Sequence, residues 1–258
     1  MLLPHASINS NGKVTVLFIH GAFSSKEEWD MVVPYMPSTY HLLVPDLPAH
    51  GDARQIKPFS VARSVDMLAE LIRTMAKDQR ACLVGLSLGA HVAIDLASQY
   101  PELVNDVFVS GFEVFPPSVL SPYLPQIVWV MIRSENLVPR ILVRWLMDGA
   151  DVQRIDCSIC TLSLCRQIVN PINSTQWPSS WLARTLVVAA GKGGIVPSKD
   201  HPADAKKLVE IALNKESIAV TEAEIRHPWN RQLPRLFAKT ACAWFERKEL
   251  PTGFQKLV

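Results

Sequence analysis

The chain has 258 residues, enough for one large α/β domain or two small ones. Hydrophobic residues make up 48% of it and charged residues 19%, a balance typical of a globular protein with a sizeable core and not of a disordered chain. The formal net charge is only +2, without a basic patch or an acidic tail, so neither nucleic acid nor a polybasic membrane site is expected as a partner.

The N-terminal stretch MLLPHASINSNGK lacks a basic segment, a long apolar core and a small-residue cleavage site. It therefore does not predict a secretory signal, and we expect a cytoplasmic protein. The longest uncharged run, residues 114–132, is almost long enough to cross a bilayer, but its four prolines would break a spanning helix. We expect no membrane span and interpret this run as an apolar lid segment.

The cysteines are five in number, and an odd count in a chain without a predicted signal peptide does not favour a disulfide framework. Cys157, Cys160 and Cys165 are closely spaced, yet no fourth ligand follows at a spacing known from metal sites. We interpret them as buried thiols and predict no metal.

In chain order, short apolar runs predict buried strands at residues 14–19, 41–44, 81–84, 107–110, 185–190 and 217–221. Continuously apolar strands indicate a sheet that is covered on both faces. Apolar stripes at helical spacing lie between them, one over residues 61–75 and one over 233–244. This alternation predicts an α/β fold with a doubly wound, mostly parallel sheet.

The alternation stops between residues 114 and 181, where a segment rich in Pro, Trp and Leu and of helical character intervenes. We expect a core of residues 1–113 and 182–258, with 114–181 as a helical cap inserted over the sheet. The aromatic and apolar residues of this cap would roof an apolar pocket. Trp129 and Trp145 of the cap, with Phe23 of the core, are the expected contacts of a hydrophobic small-molecule substrate.

The strand at 81–84 runs directly into Gly85-Leu86-Ser87-Leu88-Gly89, and a helix-like stretch follows. This is a sharp strand-to-helix turn with Ser87 at its apex, and glycines are needed on either side because a Cβ would clash with the backbone. Ser87 is predicted to be an exposed nucleophile, and the N–H of Leu88 lies at a helix N-terminus where an oxyanion can form. An ordinary glycine-rich turn is the alternative.

Further motifs match this interpretation: HGAF at 20–23, DLPAHG at 46–51 and LASQYPELV at 96–104. Together with GLSLG at 85–89, each resembles a signature of the α/β-hydrolase superfamily, and they follow that family's order. The resemblance covers nearly the whole chain except the insertion, which corresponds to the family's variable cap. It implies a nucleophilic Ser87, an oxyanion hole formed by the N–H groups of Ala22 and Leu88, and no metal or organic cofactor.

In this fold the chain order is serine, acid, histidine, so the general base should follow the last strand. Of seven histidines only His227 fits, although the glycines that usually precede it are Glu224, Ile225 and Arg226 here. His20 and His50 are expected to form hydrogen bonds within their loops. His91 is interpreted as a buried, hydrogen-bonded residue, with substrate contact as the alternative.

The acid is harder to assign. Related chains often carry an aspartate as the acid, and when GIVP at 194–197 is aligned with the family pattern, Gly193 falls at the aspartate position. Glu113, just past the strand that follows the nucleophile helix, could reach the histidine from the neighbouring strand and is the favoured candidate. Asp200 could reach it only if its loop doubled back, and more often caps a helix. A site without any protein carboxylate is the third alternative.

These residues predict a serine hydrolase that acts on a hydrophobic ester, thioester or lactone through an acyl-enzyme. A lyase, a cyclase or a C–C bond-cleaving enzyme on the same fold is the alternative, and a ligand-binding module without turnover is a third. The sequence does not indicate the oligomeric state.

Overall fold

A computed structural model describes residues 1–152, 154–173, 176–194 and 198–257 of the chain. One eight-stranded sheet runs through it in the order β1-β3-β2-β4-β5-β6-β7-β8. The strands are β1 His5–Ile8, β2 Val14–Ile19, β3 Tyr40–Pro45, β4 Ala81–Leu86, β5 Val104–Ser110, β6 Arg184–Ala190, β7 Ile218–Glu222 and β8 Gln255–Lys256. The edge strands β1 and β8 pair antiparallel and the six strands between them pair parallel, so the predicted fold class is confirmed.

Helices connect the parallel strands. They are α1 Val61–Met75, α2 Leu88–Gln99, α3 Leu124–Glu135, α4 Arg140–Leu146, α5 Leu162–Ile172, α6 Pro202–Ile211, α7 Trp229–Gln232 and α8 Pro234–Phe245. Local sequence explains where several of them begin. The Ser60 hydroxyl accepts a hydrogen bond from the N–H of Arg63 at the start of α1, and Pro234 occupies the first turn of α8, where its missing N–H costs nothing.

Both faces of the sheet are buried, as the continuously apolar strands predict. Leu68 of α1, Val92 of α2 and Leu208 of α6 belong to the core on one face. Phe237 and Trp244 of α8 belong to the core on the other face. The sheet is therefore a rigid platform, and the carboxyl ends of its parallel strands form one edge at which loop residues meet.

Each predicted strand overlaps one strand of the structure, from β2 to β7. The sequence interpretation missed the edge strands β1 and β8. These have four and two residues and are half-buried or exposed, so they lack the apolar run that marks the central strands.

A helical insertion separates β5 from β6 and contains α3, α4 and α5. It is attached to the core by hydrogen bonds, since the N–H of Val114 donates to Asp204 Oδ2 at 3.0 Å and the N–H of Phe59 donates to Gln167 Oε1 at 2.8 Å. The expected helical cap is thus present, and its boundaries at 114 and 181 stay a prediction. Within the described ranges no helix is long and apolar enough to cross a membrane.

The cysteines of the cap are free thiols. Cys160 and Cys165 are fully buried with their sulfur atoms 3.7 Å apart, and Cys157 is half-buried. Among the described residues no group of three His, Cys, Asp or Glu side chains is arranged to hold a metal ion.

Candidate active site

Ser87 lies at the turn between β4 and α2 with φ 55° and ψ −117°, a strained backbone conformation for a residue with a side chain. The flanking glycines permit it: a Cβ on Gly85 would lie 2.4 Å from the carbonyl oxygen of Gly89, and one on Gly89 would lie 2.1 Å from that of Ile19. The N–H of Ser87 donates to the carbonyl of Ser110 on the neighbouring strand at 2.9 Å. The turn therefore has the geometry that the GLSLG pattern predicts.

The loop after β2 contains Ala22, the first of the two expected oxyanion donors. The N–H of Gly21 donates to Glu28 Oε2 at 2.6 Å, and the N–H of Phe23 donates to His50 Nε2 at 3.1 Å. Between them, the N–H of Ala22 has no partner among the described residues, and neither has the N–H of Leu88 in the first turn of α2. Both expected oxyanion donors are thus available to a ligand.

Two buried histidines hold this loop in place. His20 Nδ1 donates to the carbonyl of Gly21 at 2.8 Å, and its Nε2 accepts the N–H of Leu47 at 3.0 Å. His50 is bonded in the same way, between the carbonyl of Pro48 and the N–H of Phe23. Burial lowers the pKa of His20 to about 3, so the ring is neutral and its tautomer is fixed by the backbone. The expected loop hydrogen bonds of both histidines are present.

His227 follows β7 and lies in the same cavity as Ser87. Its N–H donates to the carbonyl of Ser198 at 2.8 Å. Its ring rests against Gly111, which has φ 67° and on which a Cβ would lie 2.5 Å from His227 Cε1. Gly111 was not singled out from the sequence, although a glycine directly after a strand at this sheet edge is the kind of signal that could have identified it.

Asp200 accepts a hydrogen bond from His227 Nδ1 at 2.6 Å. Asp200 is bonded to the end of β6, since its N–H donates to the carbonyl of Ala190 at 2.9 Å and its Oδ2 accepts the N–H of Ala190 at 2.7 Å. The side chain is buried and held at both oxygens. The Ile195–Pro197 part of the GIVP motif lies outside the described residues.

The expected pairing of Glu113 with His227 is not what the structure shows. Glu113 lies at the cavity wall, but its Oε1 accepts the N–H of His201 at 3.0 Å, and His227 Nδ1 is occupied by Asp200. The physical reason is the pair of hydrogen bonds between Asp200 and Ala190, which holds Asp200 at the end of β6 within reach of His227 Nδ1. Glu113 acts on His227 only through its charge.

The charges around His227 favour its protonated form. Burial lowers its pKa, but the hydrogen bond and the charge of Asp200, followed by the charges of Glu113 and Glu28, outweigh burial and raise the pKa above its ordinary value. The pKa of Glu113 is itself raised by burial and by the charge of Asp200. A positive charge on the imidazole is therefore stabilised at this site.

A cavity of about 770 Å³ opens above Ser87. Its lining includes Leu88 and His91 of the core and Phe115, Met131, Val143, Leu146, Met147 and Ile172 of the insertion. The ring of His91 stacks on Phe112 with the centroids 4.1 Å apart, and burial lowers its pKa to about 4, so the ring is neutral and beside the cavity. The walls are mainly apolar, and their polar residues come both from the core, as Ser87 does, and from the insertion, as Ser134 and Glu135 do.

The three expected substrate contacts do not line this cavity in the described part of the chain. Phe23 is packed into the core, and Trp129 packs against the core and under the guanidinium of Arg133, 4.5 Å from the ring centroid. Trp145 is 72% exposed. Helical spacing explains why Trp145 is outside the cavity, because its neighbour Leu146 takes the inward position of the same helix turn.

Arg226 links the cap to the histidine loop. Its Nε donates to Asp148 Oδ2 of the cap at 2.6 Å and its Nη1 to Ser198 Oγ at 2.7 Å. Lys192 also contacts Asp148, at 3.1 Å. A Cβ on Gly194 would lie 3.1 Å from the guanidinium, so the glycine there leaves room for this side chain.

Comparison with known proteins identifies the family. The family model described as Alpha/beta hydrolase family matches residues 16–158. An AB hydrolase superfamily protein of Gibberella zeae is 36% identical over 253 residues, which cover 97% of this chain and 86% of the relative. The chain belongs to the α/β-hydrolase superfamily.

More distant relatives of this α/β-hydrolase include enzymes named for ester chemistry. A protein of Xenopus laevis named monoacylglycerol lipase abhd6-A is 33% identical over 184 residues, which cover 69% of this chain and 53% of that protein. A thermophilic esterase of Thermogutta terrifontis has a similar solved structure, with a TM-score of 0.71, 17% identity and coverage of 95% of this chain and 93% of the esterase chain. At that identity the solved structure supports the fold alone.

Proposed function

We propose that this α/β-hydrolase is a serine hydrolase that cleaves carboxylic esters with a hydrophobic acyl or alcohol part, through an acyl-enzyme. One observation carries the proposal. Ser87, at a strained turn, shares a cavity with His227, whose Nδ1 is held by the buried carboxylate of Asp200. This is the arrangement of nucleophile, base and orienting acid that serine hydrolases need.

The proposed reaction begins with transfer of the Ser87 proton to His227 Nε2 as the hydroxyl oxygen attacks the ester carbonyl. Asp200 holds the ring in the tautomer that leaves Nε2 free and stabilises the imidazolium. The N–H groups of Ala22 and Leu88 bind the oxyanion, and the imidazolium protonates the leaving alcohol. Water, deprotonated by His227, then releases the carboxylic acid.

The described residues contain no hydrogen bond between the side chains of Ser87 and His227, although both line the cavity. We expect this contact to form with substrate bound, because catalytic hydrogen bonds are often long in free enzymes and shorten in the complex.

The apolar walls of the cavity support a hydrophobic substrate, and its volume suits a drug-sized or lipid-sized molecule. A relative named as a monoacylglycerol lipase supports ester cleavage as the reaction class. Thioesters and lactones remain within the proposal because their carbonyl chemistry needs the same groups.

Lyase or cyclase chemistry was an alternative because the acid seemed to be missing at Gly193. Asp200 now provides a carboxylate on His227 Nδ1, so that reason no longer applies. We therefore propose hydrolysis alone.

A fluorophosphonate probe tests the proposal. We expect intact-mass analysis to show one adduct on the protein and none on Ser87→Ala, and we expect the unlabelled protein to hydrolyse p-nitrophenyl esters of medium-chain acids. Ser98→Ala is a suitable control, since Ser98 lies on the same helix but donates to the carbonyl of Ser180. An unmodified protein after long incubation, with no ester turnover, would contradict the proposal.

A further inference from the structure

His91 lies one helical turn beyond Ser87 on α2. Its N–H donates to the carbonyl of Ser87 at 3.4 Å, and its side chain lines the cavity above the serine. Residues four apart share one face of a helix, so the imidazole lies on the side of α2 that faces the nucleophile. The proposed reaction assigns no role to this ring.

Two contacts hold the ring of His91 in one orientation. It stacks on Phe112 with an interplanar angle of 28°, and Phe112 is backed in turn by Trp177, with the ring centroids 5.9 Å apart. The ring also forms a hydrogen bond with the backbone of Glu113, and this bond favours the charged form of the imidazole. A backbone group with that effect is a carbonyl, because it accepts the ring N–H. One ring nitrogen is therefore committed as a donor.

The other ring nitrogen is a free acceptor. Burial lowers the pKa of His91 to about 4, so at neutral pH the ring is uncharged and carries one N–H and one lone pair. Among the residues that the structure describes, none donates a hydrogen bond to this lone pair. The cavity wall also includes Leu88, Phe115 and Ile172, whose side chains have no donors. A purely apolar substrate that covered the nitrogen would desolvate it without a partner, at a cost in binding free energy.

Two other uncharged polar side chains of the cavity wall are already engaged by the protein. Ser134 Oγ donates to the carbonyl of Met131 at 2.8 Å, and Ser198 Oγ accepts from Arg226 Nη1 at 2.7 Å. The lone pair of His91 differs from them, because it is held in a fixed direction and is left for a ligand.

The position of His91 indicates which part of an ester it meets. Its ring is held by Phe112 and Glu113, the two residues that follow Gly111. The ring of His227 rests against Gly111 itself. Both rings thus lie toward β5, whereas the oxyanion loop follows β2, on the opposite side of β4. In the proposed reaction the imidazolium of His227 protonates the leaving alcohol, so the alcohol part extends toward His91.

We propose that the free ring nitrogen of His91 accepts a hydrogen bond from a second hydroxyl group in the alcohol part of the substrate. The substrates are then hydroxyalkyl esters of a hydrophobic acid. This inference rests on the proposed function for the side on which the alcohol lies, and it adds the chemistry of that alcohol. The hydroxyl lies within a few bonds of the ester oxygen, since residues one turn apart on a helix have Cβ atoms about 5–6 Å apart. Such a site favours the hydroxylated ester over its apolar isostere, because the isostere leaves the nitrogen without a partner.

Ester binding to the full chain with Ser87→Ala tests the proposal without turnover. Ethylene glycol monooctanoate and propyl octanoate have nearly the same shape and differ by a hydroxyl in place of a methyl group. We expect isothermal titration calorimetry to give a Kd roughly tenfold lower for the glycol ester. Adding His91→Phe, which keeps an aromatic ring on Phe112 but has no acceptor, should abolish this difference. Adding His91→Gln, whose amide oxygen can accept, should retain part of it.

His5→Phe in the same Ser87→Ala background is the matched control, because His5 lies on the edge strand β1 and donates to the carbonyl of Leu3 at 2.7 Å. We expect it to keep the full difference between the two esters. Equal binding of both esters to Ser87→Ala would overturn the proposal, whether or not His91→Phe folds. So would a preference that survives His91→Phe, or one that appears only when the hydroxyl is placed on the acid. Binding is read without the proposed nucleophile, and hydrolysis from ester turnover by the unaltered protein, so failure of one is distinguishable from failure of the other.

Discussion

The carboxylate of Asp200 is fixed on both of its oxygens, and this determines what His227 can do. One oxygen accepts from His227 Nδ1 at 2.6 Å and the other from the N–H of Ala190 at 2.7 Å. Because the second bond ties the acid to the end of β6, the carboxylate cannot rotate away from the ring. The imidazole is therefore held with Nε2 directed away from the acid, as a general base for Ser87 requires.

The charges near His227 predict the pH dependence of ester turnover. The protonated imidazole is stabilised by Asp200 in spite of burial, so the pKa of His227 lies above its ordinary value of 6.5. Since only the neutral ring can accept the Ser87 proton, activity is lost as pH falls through this pKa. We expect kcat/KM for a p-nitrophenyl ester to rise with pH along a limb whose midpoint lies above 6.5.

Asp200→Asn should move that midpoint to lower pH, because the hydrogen bond and charge that raise the pKa of His227 are removed while burial remains. A smaller downward shift is expected for Glu113→Gln, whose charge also favours the imidazolium. If the midpoint of the pH dependence of kcat/KM is unchanged in Asp200→Asn, a group other than His227 controls activity.

The backbone turns of the candidate site could be predicted from the sequence, because the motifs encode backbone geometry. GLSLG needs glycines that only a tight turn explains, so Ser87 and Leu88 could be placed by local reasoning. The acid could not be placed in this way. Asp200 lies seven residues beyond Gly193, and the return of its loop depends on hydrogen bonds to Ala190 that no local pattern displays.

At the level of elements, the central strands were predictable and the edges were not. The strands from β2 to β7 are buried on both faces and therefore show unbroken apolar runs. The edge strands β1 and β8 pair on one side only, and their sequences carry no such run. The helical character of the insertion could also be predicted, but the inward and outward sides of α4 could not, because that helix carries apolar residues on both.

The contact between the cap and the histidine loop predicts an effect of Arg226 on catalysis. Arg226 precedes His227 and bonds to both Asp148 of the cap and Ser198 of the acid loop. Removing its side chain frees both contacts, so His227 and the roof of the cavity lose their fixed positions. We expect Arg226→Ala to lower kcat/KM for a p-nitrophenyl ester by roughly 10- to 100-fold, since small displacements of catalytic groups are costly.

Arg226→Lys should recover part of this activity. A lysine ammonium can keep the ion pair with Asp148 but cannot bond to Asp148 and Ser198 at the same time. Arg247→Ala is the control, as Arg247 forms an exposed pair with Glu216 far from the histidine loop in sequence. Equal activity in Arg226→Ala and the unaltered protein would show that the bridge has no part in positioning His227.

On the scale of the whole molecule, the sheet and the insertion have different tasks. The sheet edge carries the proposed reacting groups, and its position is determined by a core packed on both faces. The insertion supplies most of the apolar cavity wall, including Phe115, Met131 and Met147. Fold membership therefore supports the reaction class, while the substrate depends on the insertion, where sequence patterns are least specific.

The central claim is that Ser87, His227 and Asp200 act together, and the most direct test compares two carboxylates. We predict that Asp200→Asn lowers kcat/KM for a p-nitrophenyl ester by about 10³- to 10⁴-fold, because the ring loses both its tautomer and its stabilising charge. Glu113→Gln, at the same cavity but bonded to the N–H of His201, should lower it by less than about tenfold. A large loss in Glu113→Gln with near-normal activity in Asp200→Asn would contradict the account.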